Sequence, residues 1–253
     1  MNILIFSGTT EGREISYRLA EMGHRVTVSV ATVFGRAAQE SGRTAQKETA
    51  GPVQVLQGRL EEADMARVLS GFDLCIDATH PYATAAGENI RKAADEAGVR
   101  LLRLQREESP VPEGAIGCER ARQAAELLKD TEGNILLTCG VKSLVAFSEI
   151  ERKRLIVRII PSEESLRQTL QADIPPANII AMEGPFSAEF NELLIREKQI
   201  RYLVTKDGGR AGGFPEKVKA CGNCGTALVL IKRPAGREGL SMDRILDIVG
   251  KSA

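Results

Sequence analysis

Three observations on this 253-residue chain predict an α/β protein of two Rossmann-like lobes, each with a mainly parallel sheet, and a cleft between them. Short apolar runs alternate with longer amphipathic stretches, the order expected of consecutive βαβ units. Two distant passages, ILIFSGTTEGREI and ILLTCGVKSLVAF, each read as a strand, small residues, a glycine and a helix. The loops richest in glycine and polar residues all follow strands, and open α/β sheets bind ligands at the carboxyl ends of strands.

The elements follow in order. NILIFS is the first strand. REISYRLAEMG after it is a helix whose Ile15, Leu19 and Met22 share one face and whose following Gly23 supplies the stop. RVTVSVA, VQVLQG and DLCIDAT are the second to fourth strands, TAAGENIRKAADEAG is a helix, and VRLLRLQR is a fifth strand. The segment 106–118, with Pro110, Pro112 and Gly114, marks the boundary between lobes over 1–112 and 113–253. ERARQAAELLKD opens the second lobe as a helix. Its strands are NILLTCG, LIVRIIP, NIIAMEG, RYLVTK and ALVLIKRP, and SEESLRQTLQA, SAEFNELLIREKQ and FPEKVKACG are its other helices. A second echo pairs DATHPYATAA with AMEGPFSAEF, each running strand, proline, aromatic, small residue, helix.

Composition removes several classes of partner. Lysine plus arginine and aspartate plus glutamate both total 34, so no global field favours nucleic acid or a membrane surface. Tryptophan is absent and aromatics are scarce, which removes the usual stacking platform for bases. An acidic ligand must therefore meet a local basic site, on a monomer or weak homo-oligomer. No apolar run is long enough to cross a bilayer, and MNILIFSG is too short for a secretory segment. The five cysteines, an odd number, suit a reducing cytoplasm. Cys221 and Cys224 form a CxxC without the second pair or the histidines of a tetrahedral zinc site. They read as the end of a helix, and no metal is expected.

The loops carry the chemistry. In IFSGTTEGR, Gly8 lets the backbone approach a phosphate, Thr9 and Thr10 offer hydroxyls, and the helix beginning near Gly12 presents free N–H groups and a partial positive charge. Arg13 adds a cation. The G-x-G-x-x-G fingerprint is missing, and a βα turn merely capped by threonine is the competing reading. The second strand ends Ser29-Val30-Ala31-Thr32, without the acid that binds a ribose 2′-hydroxyl in NAD-binding units. Arg36 lies just beyond, which suits a 2′-phosphate, so NADPH is the expected cofactor and NADH the alternative. Asp77-Ala78-Thr79-His80-Pro81-Tyr82 ends the fourth strand with an imidazole and a phenol, both able to donate protons. His24, next to the helix stop, reads as a surface or capping residue.

In the second lobe, Thr138, Gly140 and Lys142 repeat the first loop with a lysine added, and Gly184-Pro185-Phe186-Ser187 precedes another helix. Lys206-Asp207-Gly208-Gly209-Arg210-Ala211-Gly212-Gly213 is the most unusual segment. Its glycines let backbone come close to a ligand, and Lys206, Arg210 and Lys217 make it an anion-binding candidate. Tyr202 and Lys206 imitate the Tyr-x-x-x-Lys pair of short-chain dehydrogenases. That pair needs a helix to bring positions four apart together, whereas RYLVTK reads as a strand.

Taken in order, ILIFSGTTEGREI, VTVSVAT, IDATHPYA, LLRL, ILLTCGVKSL, GPFSAEFN and LVTKDGGRAGGFPEKV resemble the precorrin-6A reductase family of cobalamin biosynthesis, including its cobalt-precorrin-6A branch. Cys139 stands where such proteins often carry threonine, and DGGRAGG replaces a serine-containing version. The resemblance implies a reduced nicotinamide nucleotide and a ring-contracted tetrapyrrole, with hydride transfer to a ring double bond of precorrin-6A giving precorrin-6B. It implies that Gly8, Thr9, Thr10, Gly12 and Arg13 hold pyrophosphate or ribose, with Thr79 beside them, and that Ser29, Thr32 and Arg36 lie towards the adenosine. His80 and Tyr82 would face nicotinamide or macrocycle. Lys142, Lys206, Arg210 and Lys217 would pair with substrate carboxylates, alongside Thr138, Gly140, Ser187, Asp207, Gly208 and Gly209. The proton that accompanies hydride could come from His80, Tyr82, Lys142, Lys206, solvent or a substrate carboxyl. Competing readings are an unrelated NADP-dependent reductase and a non-catalytic nucleotide sensor, although a sensor has no use for a second basic lobe.

Overall fold

The computed structural model describes residues 1–43, 52–105, 109–234 and 238–251. The chain divides into two units, Met1–Glu107 with Ala235–Ala253, and Glu108–Pro234. Residues 106–108 of the expected boundary lie outside the described residues.

In the first unit β1 (Asn2–Phe6), β2 (Arg25–Val30), β3 (Gln54–Gln57), β4 (Leu74–Asp77) and β5 (Arg100–Arg103) form a parallel sheet in the order β3-β2-β1-β4-β5. β1 reads as an unbroken apolar run because both faces are covered. Alternation sends Ile3 and Ile5 towards helix α1 (Thr10–Glu21). Leu4 and Phe6 face the other way, into a layer built from α3 (Glu62–Leu69) and α4 (Thr84–Ala97). Helix α2 (Val33–Arg43) follows β2. Helix α1 buries Ile15 and Leu19 as expected, but Met22 is exposed and Tyr17 and Ala20 take its place. Gly23 ends this helix with φ +88°.

The last helix, α9 (Met242–Gly250), corrects the expected boundary at the C-terminus, since it belongs to the first unit. Its Ile245, Leu246 and Val249 form a stripe buried with Ile15, Leu19 and the sheet, and an apolar stripe goes where it can be covered. His24 is also corrected. It is 7% exposed, and burial followed by the nearby N-terminal amine pushes its pKa down.

The second unit carries β6 (Ile116–Cys118), β7 (Asn134–Leu137), β8 (Leu155–Ile159), β9 (Ile179–Ala181), β10 (Ile200–Lys206) and β11 (Ala227–Ile231), all parallel, in the order β6-β11-β10-β7-β8-β9. Its helices are α5 (Ala121–Leu128), α6 (Glu163–Gln171), α7 (Ala188–Glu197) and α8 (Phe214–Cys224). Without the short edge strand β6, which the boundary segment conceals in the sequence, β9-β8-β7-β10-β11 repeats the topology of the first sheet. The β1 and β7 echo is therefore a true equivalence. The second echo is not, because β4 corresponds to β10 and the glycine loop stands in the place of DATHPY. VKSLVAF is a 3₁₀ helix over Val141–Phe147 rather than an α-helix. Its Leu144 and Phe147, three apart, are buried together, the spacing that a three-residue turn aligns. Tyr202 and Lys206 both lie in strand β10, and Cys221 and Cys224 close α8. No helix among the described residues is long and apolar enough to cross a membrane.

Candidate functional site

Strand order reverses between β1 and β4 in the first unit, and such switch points open a crevice at the carboxyl ends of the strands. Gly8, exposed with φ +131°, makes the turn out of β1, a conformation that side chains other than glycine's avoid. Gly12 meets a different need. A Cβ there would overlap Ser7 Oγ and lie 3.1 Å from Ala78 Cβ, so its absence lets α1 settle onto the ends of β1 and β4. A dinucleotide turn needs one glycine to turn tightly and another to pack the helix closely. This loop provides both, four residues apart, without the fingerprint.

Thr9 departs from its expected role. Its hydroxyl accepts from Gly12 N at 3.0 Å and donates to Ala78 O at 3.0 Å, which caps α1 and ties β1 to β4. Thr10 is exposed instead and accepts from Arg13 Nη2 at 3.0 Å, so a hydroxyl and a guanidinium sit together at the open helix N-terminus. At the end of β2, Ser29 is buried, while Thr32 caps α2 by accepting from Gly35 N at 3.0 Å. Arg36, exposed, bonds Glu40 at 2.8 Å.

After β4, Thr79 is also occupied. Its N–H and hydroxyl donate to Asp77 Oδ1 at 3.0 and 2.7 Å, and Arg103 Nη1 and Nη2 reach its hydroxyl and carbonyl at 2.9 and 3.0 Å. Asp77 and Arg103 face each other in register on β4 and β5 and form an ion pair, the carboxylate buried and the guanidinium partly so. Sequence reasoning missed this pair, although Asp at the end of β4 and Arg at the end of β5 are a visible signal once the strands are known to be neighbours. It fixes the start of the loop that carries His80 and Tyr82, whose rings lie 5.4 Å apart. His80 Nδ1 accepts from Tyr82 N at 3.3 Å.

The equivalent switch point of the second unit lies between β7 and β10. Gly140 leaves β7 with φ +87°. Thr138 uses its hydroxyl internally, donating to Val204 O at 3.1 Å. Lys142 is exposed, and Lys206 is half-buried with Nζ donating to Ser143 Oγ at 3.2 Å. Burial and then the charge of Lys142 push the pKa of Lys206 down, partly offset by Cys139. The glycine segment is an ordered tight turn. Asp207, 5% exposed, accepts from Gly209 N at 2.8 Å and Ser109 Oγ at 2.9 Å, and pairs with Arg233 at 2.8 Å. Its carboxylate shapes the loop from within, a correction to its expected role as a substrate contact. Gly208 packs closely, since a Cβ there would be 3.2 Å from Gly212 Cα, and Gly209 has φ +63°. Arg210 is left exposed at the tip.

Two expected contacts are placed differently. Ser187 is the N-cap of α7, its hydroxyl accepting from Phe190 N at 3.2 Å. Lys217 is 8% exposed and donates from Nζ to Gly212 O at 2.7 Å. Burial first, then the nearby Arg158, push its pKa down to about 8, against weaker opposing pulls from Glu216, Asp207 and Cys221. Cys221 has its thiol pKa pushed up to about 12 by burial, so it is no ready nucleophile.

Known proteins can be set beside this geometry. The family described as precorrin-6x reductase CbiJ/CobK matches residues 2–250. A cobalt-precorrin-6A reductase of Methanothermobacter thermautotrophicus is 34% identical over 241 residues, 92% of this chain and 77% of its own. One from Salmonella typhimurium is 32% identical, covering 92% and 88%. A precorrin-6A reductase of Rhodococcus erythropolis is 31% identical, covering 92% and 89%. The solved structure of CobK precorrin-6A reductase matches with a TM-score of 0.77 over 99% of this chain and 97% of its own, at 22% identity, a likeness of fold. With the family match running from the first strand to the last helix, this chain belongs to the precorrin-6x reductases.

Proposed function

We propose that this protein reduces precorrin-6A or cobalt-precorrin-6A to the corresponding 6B form in cobalamin biosynthesis, with NADPH as its reductant. The observation that carries the cofactor assignment is the pairing of Gly8 and Gly12, which opens the α1 N-terminus at the β1–β4 switch point. Gly8, Thr10 and Arg13 are the groups assigned to the pyrophosphate, with Thr9 and Gly12 holding the turn that presents them. Bound there, the nucleotide supplies a hydride, and the protein's own task is to orient ligands and exclude water.

The preference for NADPH follows from β2, which ends without an acid, and from Arg36 beyond it. Arg36 is held by an exposed i,i+4 pair with Glu40, an interaction worth under about 1 kcal/mol, so a 2′-phosphate can compete for it. Lys142, Lys206 and Arg210 are assigned to the carboxylates of the tetrapyrrole, where charge-assisted bonds are strongest. Lys206 is also assigned to proton delivery, because burial lowers its pKa and makes it a stronger acid than an ordinary lysine. His80 and Tyr82 are assigned to contact with the reacting groups and to the alternative proton supply.

The test is an absorbance assay with metal-free and cobalt-bearing precorrin-6A, each run with NADPH and NADH. Nucleotide-dependent loss of substrate absorbance, faster with NADPH, is expected. Tight nucleotide binding with no turnover of either tetrapyrrole would refute the proposal and favour a sensor.

A further inference from the structure

The second unit buries a cation that the roles above leave unused. Arg158 is the fourth residue of β8, a strand whose five residues are all buried. Alternation places it on the face of Ile156, the layer completed by Ile195 of α7 and by Phe214 and Ala220 of α8. Arg158 is 7% exposed. Its Nη1 donates to Asn191 Oδ1 at 2.9 Å, and its guanidinium carbon lies 4.4 Å from the centre of the Phe186 ring. Among the described residues no carboxylate pairs with it, and burial alone pushes its pKa down to about 10.

Lys217 is a second buried cation of this unit. Burial first and then the charge of Arg158 push its pKa down, and its ammonium bonds a neutral carbonyl. The carboxylates that act on Lys217, Glu216 and Asp207, offset only part of this charge. Asp207 is engaged by Arg233, Ser109 and Gly209. Glu216 keeps Oε2 enclosed without a hydrogen-bond partner. A buried guanidinium held only by neutral groups is costly until an anion reaches it, and its planar fork matches a carboxylate in shape. Two cations beside one carboxylate leave one charge to balance, which suits a monoanion better than a phosphate dianion. The cover is slight. Phe186 is half-buried in a segment, 182–187, whose other residues are exposed, and its ring stacks on Phe190 with centroids 4.9 Å apart.

We propose that Arg158, positioned by Asn191, forms with Lys217 an oxyanion site within the second unit that takes one carboxylate of an acidic ligand once the Phe186 ring turns aside. That this carboxylate belongs to the tetrapyrrole rests on the function proposed above.

The test uses the full chain, Arg158→Met, and two probes. Propionate should raise the thermal unfolding midpoint of the parent and leave that of Arg158→Met unmoved, while inorganic phosphate should have little effect on either. Uroporphyrin, a polycarboxylate macrocycle, should bind Arg158→Met about tenfold more weakly, with NADPH affinity unchanged. An equal propionate effect in both proteins overturns the site, and a response to phosphate without one to propionate overturns the carboxylate assignment. If propionate depends on Arg158 but uroporphyrin does not, the site stands and the tetrapyrrole is not its ligand. Turnover of precorrin-6A is a separate readout, so failure of the reductase assignment is distinguishable from failure of this one. Should Arg158→Met not fold, Phe186→Ala carries the test. It should lower the propionate concentration needed for half the effect, and an unchanged concentration overturns gating by that ring.

Discussion

Lys217→Met tests whether a buried cation lowers the stability of the second unit. The lysine pKa falls from its ordinary 10.5 to about 8 in the fold, which corresponds to about 3 kcal/mol of stability withheld at neutral pH. Between pH 8 and 10.5 the unfolded chain holds more protons than the folded one, so the contribution of this group to stability rises across that window. Below pH 8 the penalty is complete. Methionine removes it but also loses the 2.7 Å bond to Gly212 O, worth about 1 kcal/mol. The variant should therefore be more stable than the parent by about 2 kcal/mol at pH 7. The advantage should fade as pH rises, and reverse near 10.5 where only the lost hydrogen bond counts. Tryptophan is absent, so urea unfolding followed by far-ultraviolet circular dichroism at several pH values is the suitable assay. Two units give scope for two transitions, and the one that shifts should belong to the second. A difference between parent and variant that is negative at pH 7, or constant with pH, would show that Lys217 is not held as a destabilised cation. Such a group persists where function outweighs stability, in keeping with an anion site beside it.

Gly12→Ala should cost about 1–3 kcal/mol through overpacking against Ser7 and Ala78 and weaken NADPH about tenfold in a fluorescence titration. Unaltered nucleotide affinity would exclude the α1 N-terminus as its seat. Asp77→Ala should destabilise the first unit by about 2–3 kcal/mol, less than for a fully buried pair because Arg103 is partly exposed and keeps its bonds to Thr79. Adding Arg103→Met should recover a substantial part of it in a double-mutant cycle, whereas simple additivity would deny the coupling. Arg36→Ala should reduce the preference for NADPH over NADH by about tenfold, about 1.4 kcal/mol, measured as a ratio of dissociation constants, and an unchanged ratio removes Arg36 from the 2′-phosphate. Lys206→Ala and Arg210→Ala should weaken tetrapyrrole binding more than NADPH binding, and equal losses of both would end the proposed division of labour.

The sequence alone determined the class of fold and most of its elements. Alternation of period two and three-to-four marked the strands and helices, and a residue before or after a strand is local information. Gly8, Gly12, Arg36 and the glycine loop were visible for that reason. Relationships between strands far apart in the chain required the tertiary structure. It made β10, not β9, the partner of β4 in topology, joined Asp77 to Arg103 across neighbouring strands, and returned α9 to the first unit because its apolar stripe is covered there. It also decided which polar atoms remain available. Thr9, Thr79, Thr138 and Asp207 are all polar residues at strand ends, yet their hydrogen bonds close within the protein, an outcome that depends on distances no spacing encodes. Arg158 is the sharpest case. In the string LIVRII it is one charge in an apolar run, and only the face it shares with Ile156, under two helices, makes it a buried cation that no carboxylate pairs with among the described residues.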